Sequence, residues 1–386
     1  MKTSYSEKDV IVLLKDITGK IEAKNSLERE KLIQAGIHYS ELLPVEYQPT
    51  EEYTRLYKDA LYLHAEQTAE AVGVLAEKVW KEKRGNITVV SLARAGTPIG
   101  ILLKRYLEKK YKKEVPHYTI SIIRDRGIDH NAMAYILERH KKESIQFVDG
   151  WVGKGAITKE LKKAMEQYKG VSSELAVLAD PAQMTSLYGT AEDFLIPSAC
   201  LNAPVSGLFS RTVLNEKLIG KNDFHGAVYY KEMESIDVSY EFIDTVERYF
   251  VKKVATNEEQ VKGNTIQKSG EMYYCNMRDD NPNMEKIKDI TSKKSEIKGV
   301  ETGLDEVQKI AKEFRITNIN YIKPGIGETT RVLLRRIPWK ILVGEEAEER
   351  YIGHILRLCQ EKKVEVLRYP LKHYRACGII RNMSDI

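Results

Sequence analysis

The stretch that decides the fold is residues 147–158, Phe-Val-Asp-Gly-Trp-Val-Gly-Lys-Gly-Ala-Ile-Thr. An apolar run that ends at Val148 predicts a buried strand, and Asp149 follows at its end. A glycine-rich turn then leads into a predicted helix over 159–168. Glycines let the backbone approach an anion closely, and the free amides at a helix start point toward it. This order predicts a site for a phosphorylated sugar, with the carboxylate facing ribose hydroxyls or a metal ion.

The spacing excludes the phosphate loop of nucleoside-triphosphate hydrolases. That loop needs a glycine separated by four residues from the Gly-Lys pair, and a serine or threonine directly after the lysine. Here Val148 holds the first place and Gly155 follows Lys154. The remaining alternative is an ordinary strand–turn–helix corner, since short glycine motifs recur by chance.

Two further segments repeat the strand–turn pattern. Residues 87–90 predict a buried strand that leads to a helix over 99–108, and Thr97 is suited to cap that helix. A third predicted strand, 117–123, runs into the polar loop 124–129. In an open parallel sheet such loops line the crevice at the carboxyl ends of the strands. The sequence therefore predicts an α/β fold with a parallel sheet flanked by helices.

The order of these segments resembles the type I phosphoribosyltransferases. It resembles more closely a subgroup that accompanies tellurite-resistance genes and carries the label StiP, a supposed cysteine protease. The resemblance covers residues 4–250 and includes HYSELL at 38–43, DFLIPSACLN at 193–202, SGLFSRTV at 206–213 and DFHGA at 223–227. It implies a phosphoribosyltransferase-like sheet, phosphoribosyl pyrophosphate with Mg²⁺ as the ligand, and a place in a tellurite or stress response.

The resemblance also implies roles for individual residues. The turn that would hold the 5-phosphate consists of Gly153, Lys154, Gly155, Ala156, Ile157 and Thr158. The turn that would meet the pyrophosphate consists of Ala93, Ala95, Gly96 and Thr97, with Arg94 as its counter-charge. Asp149 would contact the ribose 2- and 3-hydroxyls. Mg²⁺ would be held by the ligand and this carboxylate rather than by a cage of protein side chains.

The loop 124–129 would close over the reacting carbon and exclude water, with Arg124 and Arg126 beside the reaction. Transfer would depend on positioning and on neutralisation of the departing pyrophosphate. One departure from the family pattern is Gly150, which holds the place of a second acidic residue. A single carboxylate stabilises a cationic ribosyl transition state less, so the residues support binding more strongly than transfer.

The sequence does not define the acceptor. Loops after the predicted strands 175–179 and 194–196 would surround it, and the candidate contacts are Asp180, Asn202, Ser206, Ser210 and Arg211. These residue types are equally typical of turns and caps. Nearer the start of the chain, Tyr39, Glu41 and Glu46 would either reach into the site or pack on the sheet.

A cysteine hydrolase is the alternative from another class. Cys200 would be the nucleophile, with His225 as its base and either Asp223 or Asn202 to orient the histidine. No local signature of a cysteine-protease family surrounds Cys200, and small buried cysteines are common.

Composition fits a protein of two or three domains, since 386 residues with 42% hydrophobic content can build more than one core. No segment approaches the ~20 apolar residues of a membrane helix. The apolar run 10–14 is too short for a signal peptide. Four widely spaced cysteines form neither a disulfide framework nor a zinc pattern. We therefore expect a cytoplasmic protein without membrane contact, while its oligomeric state is left open.

The chain divides into a phosphoribosyltransferase-like domain at 1–255, with a helical part at 1–83, a linker at 256–300, and a second domain at 301–386. Within the linker, 284–290 predicts one short helix. The second domain alternates predicted helices and strands, which is typical of a small α/β/α sandwich. The helices are 304–314, 328–336 and 348–362, and the strands are 319–322, 339–343 and 364–369. This domain contains sixteen Lys/Arg against twelve Asp/Glu, a net +4 of the chain's +5.

The segment 323–331, Lys-Pro-Gly-Ile-Gly-Glu-Thr-Thr-Arg, resembles the RNA-binding loop of the Pelota and ribosomal L7Ae-like family. The RNA contacts that this resemblance implies are Gly325, Gly327, Glu328, Thr329, Arg331 and Arg335. Gly327 holds the place of an asparagine that reads bases, so backbone binding is better supported than recognition of a kinked stem. The alternative is a glycine turn before an ordinary basic helix. A third function also stays open, a non-catalytic RNA-binding protein that senses a nucleotide.

Overall fold

The structure is a computed structural model that describes residues 1–259 and 302–382, with the backbone alone over 251–259. The short helix predicted at 284–290 lies outside the described residues. None of the helices in these two stretches is long and apolar enough to cross a membrane.

A six-stranded parallel sheet organises the first unit. From one edge to the other its strands are β1 (Ile11–Val12), β6 (His117–Ile120), β5 (Thr88–Leu92), β9 (Ile145–Trp151), β10 (Leu175–Ala179) and β11 (Tyr188–Thr190). All neighbours in this sheet run parallel, with Val90 opposite Phe147 and Val148 opposite Ala176 in register. The predicted α/β class with a parallel sheet is therefore confirmed.

Helices cover both faces of this sheet because both faces of its strands are apolar. Along β9, Phe147 and Val148 belong to different hydrophobic clusters. The cluster around Val148 packs against α2 (Glu51–Glu82), α3 (Gly96–Tyr111) and α6 (Ser239–Glu259). The cluster around Phe147 packs against α4 (His130–Leu137) and α5 (Ala156–Met165). Buried runs of this kind are typical of parallel sheets.

Shorter elements complete the first unit. They are α1 (Ser26–Gln34), β2 (Lys15–Asp16) with β12 (Gly226–Ala227), β3 (Ala23–Lys24) with β4 (Leu43–Pro44), and β7 (Ile122–Ile123) with β8 (Gly127–Ile128). The strand predicted at 194–196 is wrong. Those residues are buried irregular chain, because β11 already occupies the sheet position next to β10.

The second unit is a four-stranded mixed sheet between helices. Its strands run in the order β13 (Ile322–Pro324), β16 (Ala376–Ile380), β14 (Pro338–Gly344) and β15 (Glu365–Tyr369). Leu342 packs toward α7 (Gly303–Glu313), whereas Ile341 and Val343 pack toward α8 (Ile326–Arg335) and α9 (Glu349–Lys362). The predicted small α/β unit is confirmed. The strand predicted at 319–322 is instead a short helical turn, Ile319–Tyr321, followed by β13, and β16 is the strand that the prediction lacked.

The two units share one hydrophobic cluster, in which Tyr53 and Leu75 of the first unit join Leu333 and Ile352 of the second. Polar contacts also cross between the units. The Tyr374 hydroxyl donates to the Gly153 carbonyl at 3.0 Å, and the Lys154 ammonium donates to the Ile319 carbonyl at 2.6 Å. The second unit therefore packs directly against the turn that follows β9.

Candidate ligand-binding cleft

The two predicted anion-binding turns lie side by side at the carboxyl end of the sheet. A Cβ added at Gly96 would lie 2.5 Å from the Val148 carbonyl oxygen and 3.0 Å from the Asp149 Cα. A Cβ added at Gly150 would lie 3.6 Å from the Ala95 carbonyl oxygen. This closeness follows from the pairing of β5 with β9. A glycine at position 96 is required because any side chain there would meet backbone atoms of β9.

A cleft of ≈ 520 Å³ opens at this edge. The first unit contributes the strand-end residues Ala93, Arg94, Ala95, Asp149, Ala156 and Ile157 to its lining, together with Arg29, Tyr39, Arg124 and Arg211. The second unit contributes Lys323, Glu328, Arg331, Arg335 and Arg336. Seven arginines and a lysine therefore face two carboxylates, which favours an anionic ligand.

The predicted phosphate turn leads into the start of α5. Gly155 has φ +73°, a conformation that favours glycine, and no side chain caps the helix. Ala156 is exposed and Ile157 is half-buried at the cleft wall. The uncapped amides of a helix start can bind an anion, so this end of α5 has the geometry of a phosphate site.

Lys154 is half-buried in the same turn. Burial and the nearby Lys323 charge lower the pKa of the Lys154 ammonium to about 7. Six of the predicted turn residues do not line the cleft: Gly96, Thr97, Gly153, Lys154, Gly155 and Thr158. The structure also corrects the predicted helix cap: α3 begins at Gly96, and Thr97 Oγ1 instead lies 2.8 Å from Thr119 Oγ1 of the neighbouring strand.

Asp149 faces the cleft at the end of β9, and one of its oxygens accepts a hydrogen bond from the Gly150 amide at 2.7 Å. Burial raises the pKa of Asp149 to about 6, although the Arg331 charge opposes the shift. The carboxyl group can therefore change its protonation state near neutral pH.

No group of three or more His, Cys, Asp or Glu side chains that could hold a metal ion is present in the described ranges. Mg²⁺ is commonly held by one or two carboxylates plus ligand phosphates, and Asp149 fits that role.

Arg94 is not the free counter-charge that the sequence predicts. One of its nitrogens lies 2.9 Å from a carboxylate oxygen of Glu46, and another donates to the Phe209 carbonyl at 3.0 Å. Burial raises the pKa of Glu46, but the charges of Arg94 and Arg335 outweigh burial and lower it below its usual value. Arg94 is thus neutralised by a carboxylate that lies far away in the sequence.

Arg124 and Arg126 lie in the hairpin of β7 and β8. The Arg124 amide donates to the Tyr39 hydroxyl at 2.9 Å, and the Arg124 side chain lines the cleft. Arg126 instead pairs with Glu41 at 2.7 Å. Of the two predicted loop arginines, only Arg124 reaches the site in this arrangement.

Of the predicted acceptor contacts, Arg211 lines the cleft and Asn202 accepts a hydrogen bond from Arg335. The others are turn residues. Asp180 accepts from the Thr185 amide at 2.9 Å, and Ser206 and Ser210 donate to nearby carbonyls in their own loops.

The sequence did not indicate Arg29, which lines the cleft from the short helix α1. In the sequence it is one half of an ordinary charged pair, Arg29-Glu30. The structure shows that both residues of this pair are buried on the helix.

The predicted RNA-binding face of the second unit lies against the first unit. Thr329 is completely buried, and a Cβ added at Gly327 would lie 2.3 Å from the Trp151 ring. The Arg331 guanidinium lies 4.4 Å from the centre of that ring and pairs with Glu328 at 2.8 Å. Gly327 holds the place of a base-reading asparagine. Only glycine fits there, because a side chain would overlap the Trp151 ring.

The geometry does not support a pair of Cys200 and His225. Cys200 is completely buried, and burial raises the pKa of its thiol. His225 Nδ1 lies 2.9 Å from Ser121 Oγ, and Asp223 pairs with Lys15. Over residues 1–259 and 302–382, no hydrogen bond or ion pair joins Cys200 to His225. A reactive thiolate needs a nearby positive charge, whereas burial is the one cause that shifts the pKa of Cys200.

Comparison with known proteins places the chain in a family. The family model described as "Tellurite-like stress resistance cysteine protease StiP" matches residues 3–247, and the model of the Pelota RNA-binding domain matches residues 301–382. A relative from Acinetobacter baylyi named "Cysteine protease StiP" is 32% identical over 395 residues, which span 99% of this chain and 94% of the relative.

Two solved structures are similar to a part of this chain. A hypoxanthine-guanine phosphoribosyltransferase from Bacillus anthracis is 16% identical at a TM-score of 0.24, covering 33% of this chain and 77% of that one. The enzyme of that name from Leishmania tarentolae, in complex with GMP, is 14% identical at a TM-score of 0.25 with the same coverage. These low scores support no activity. The family match and the full-length relative show that the chain belongs to the tellurite-like stress-resistance StiP family, with a Pelota RNA-binding domain at its C-terminal end.

Proposed function

We propose that the cleft binds a phosphorylated ribose, with phosphoribosyl pyrophosphate and Mg²⁺ as the preferred ligand, and transfers its phosphoribosyl group to an acceptor. The observation that carries the proposal is the contact between the two turns at the end of β5 and β9. It brings an uncapped helix start, Asp149 and a cationic lining to one edge of the sheet.

In this proposal the amides at the start of α5 bind the 5-phosphate, and Asp149 orients the ribose hydroxyls. Mg²⁺ would neutralise charge on the pyrophosphate when it is bound. The bond from the ribose C1 to pyrophosphate breaks and its electron pair leaves with pyrophosphate. The acceptor forms the new bond to C1, and its proton passes to the departing group. The cationic walls lower the energy of this charge separation.

Calorimetry with phosphoribosyl pyrophosphate and Mg²⁺ tests the proposal. We expect binding heat for the native protein and none for Asp149→Ala. A control is Glu138→Ala, which removes an exposed carboxylate that pairs with Arg139 at the end of α4, outside the cleft lining. No binding to the native protein, or equal binding by Asp149→Ala, would contradict the assignment.

RNA binding is the second proposed function, and the observation that favours it is the Pelota domain match. The basic side chains that would contact RNA include Arg331 and Arg335, which here line the cleft. RNA would therefore have to enter the cleft or displace the first unit. A gel shift with structured RNA checks this, with Arg335→Ala expected to weaken binding and the distant Arg350→Ala to leave it unchanged. Unchanged mobility of the RNA with the native protein would remove the RNA claim.

A further inference from the structure

The arginines of the cleft differ in how their charges are balanced. Arg94 pairs with Glu46, Arg331 with Glu328 and Arg336 with Glu30. For Arg29, Arg211 and Arg335, no carboxylate lies within ion-pair distance among the residues that the structure describes. We call these three residues the arginine cluster; all three line the cleft.

The arginine cluster is assembled from three parts of the chain. Arg29 belongs to α1, Arg211 to a loop of the first unit, and Arg335 to the last turn of α8 in the second unit. One Arg29 nitrogen donates to the Arg335 carbonyl oxygen at 2.9 Å, which fixes these two residues together. The Arg211 guanidinium lies 4.3 Å from the centre of the Tyr39 ring.

Two buried nitrogens in this cluster have no hydrogen-bond partner. Arg29 is 3% exposed, yet its Nε donates to nothing, and the same holds for the buried Nε of Arg335. Burying an unpaired donor or an unbalanced charge costs folding free energy. Burial and the neighbouring arginine charges lower the pKa of Arg211 to about 9, and burial with the Arg336 charge lowers that of Arg29 to about 10. A bound anion would satisfy these donors and balance these charges.

We propose that the arginine cluster is a second anion site, built jointly by the two units, which binds a phosphate-bearing group other than the 5-phosphate held by α5. The group is a phosphate monoester or a diphosphate. It comes either from the donor's pyrophosphate or from a nucleotide acceptor. The cleft volume of ≈ 520 Å³ lies within the range of about 300–1,000 Å³ that is usual for small-molecule sites. This inference extends the proposed function but can be tested without the phosphorylated sugar.

The test uses inorganic pyrophosphate with the full chain, measured by calorimetry at low salt. The variants Arg211→Leu and Arg335→Leu should each lower the affinity at least tenfold, while Arg350→Ala, an exposed residue of α9, should leave it unchanged. Arg211→Leu should keep or raise the melting temperature of the ligand-free protein, because it removes an arginine charge that no carboxylate balances. If the arginine only stabilised the fold, the leucine variant would have a lower melting temperature.

Equal pyrophosphate affinity in the native protein and both leucine variants would overturn the proposal, as would absence of pyrophosphate binding. The leucine variants distinguish the two sources. If Arg211→Leu and Arg335→Leu weaken binding of phosphoribosyl pyrophosphate as they weaken binding of pyrophosphate, the cluster holds the donor's pyrophosphate. If they leave the binding of phosphoribosyl pyrophosphate unchanged, the cluster holds the acceptor's phosphate. Failure of the proposed function has another signature: pyrophosphate binding stays arginine-dependent while the sugar ligand does not bind.

Discussion

At the scale of single residues, the buried carboxyl group of Asp149 lowers the stability of the folded protein when it is ionised. Its pKa of about 6 lies above the ordinary value of 3.8, because the carboxyl is buried at the strand end. The folded state therefore binds the proton more tightly than the unfolded chain. Stability contributed by this proton is present at low pH and is lost as the pH rises from about 4 through about 6. Residues that lower the stability of the fold in this way are common at binding sites.

We therefore predict that Asp149→Asn stabilises the ligand-free protein at pH 8 by up to about 3 kcal/mol, and less where water screens the charge. At pH 4 the difference should vanish, because the native carboxyl is then neutral. Urea unfolding of both proteins at the two pH values measures this. A less stable variant at pH 8, or an equal difference at both pH values, would contradict the prediction.

Lys154 gives a second prediction at this scale. Because its pKa is about 7, much of this amine is neutral in the free protein at pH 8. A phosphate bound in the adjoining turn would raise the pKa, so binding should take up protons and weaken as the pH rises through 7 to 8. Calorimetry in two buffers of different ionisation enthalpy counts these protons. Lys154→Arg, which stays charged, should bind with much less proton uptake, and unchanged uptake would show that another group is responsible.

At the scale of elements, the contact between α8 and β9 decides how the two units meet. Gly327 lies in the first turn of α8 directly against Trp151 at the end of β9. In addition, the Ile326 amide donates to Asp193 of the first unit at 3.0 Å, so a carboxylate from one unit caps a helix of the other. The N-terminal end of α8 is therefore fixed from outside its own domain.

We predict that Gly327→Ala destabilises the protein by about 1–3 kcal/mol, because the added methyl group would overlap the Trp151 ring. The matched control is Gly353→Ala in α9, where the nearest atom would lie 3.6 Å from the new Cβ. That change should be neutral or stabilising by up to about 1 kcal/mol. Thermal unfolding of both variants measures the contrast, and a harmless Gly327→Ala would mean that the two units do not pack as described.

The elements also show how far the sequence could predict the site. The strand–turn–helix units around β5 and β9 were predictable, since an apolar run, glycines and a helix start are all local signals. The pairing of Arg94 with Glu46, and the position of α8 over the cleft, join residues far apart along the chain and leave no local pattern. The apolar segment Ala376–Ile380 was missed because five buried residues without alternation have no periodicity to recognise.

At the scale of the whole molecule, the two units are joined by an ion pair near the cleft. Arg336, directly after the last residue of α8, binds both oxygens of the buried Glu30 at 2.7 and 2.8 Å. A second pair, Arg357 with Glu52, lies on the exposed side at 2.5 Å. Breaking a buried pair leaves an unbalanced charge, whereas an exposed pair contributes little.

We therefore predict that a chain cleaved at a protease site introduced within 265–285 stays together as one particle in size-exclusion chromatography. In the same cleaved chain, Arg336→Glu should separate the fragments because it places a second carboxylate opposite that of Glu30. The double change with Glu30→Arg should restore part of the association. Arg357→Ala is the control and should leave the fragments together. Separation of the cleaved native chain would contradict the interface.

The position of α8 has one more consequence. A polynucleotide that bound the basic face of the second unit would either enter the cleft or move that unit away from the sheet. In both cases the small anion would lose guanidinium groups that the second unit supplies. Thermodynamic reciprocity requires the antagonism to be equal in both directions, so each molecule would weaken the other by the same factor. The concentration of the small anion would then control how much of the protein has its RNA-binding surface accessible.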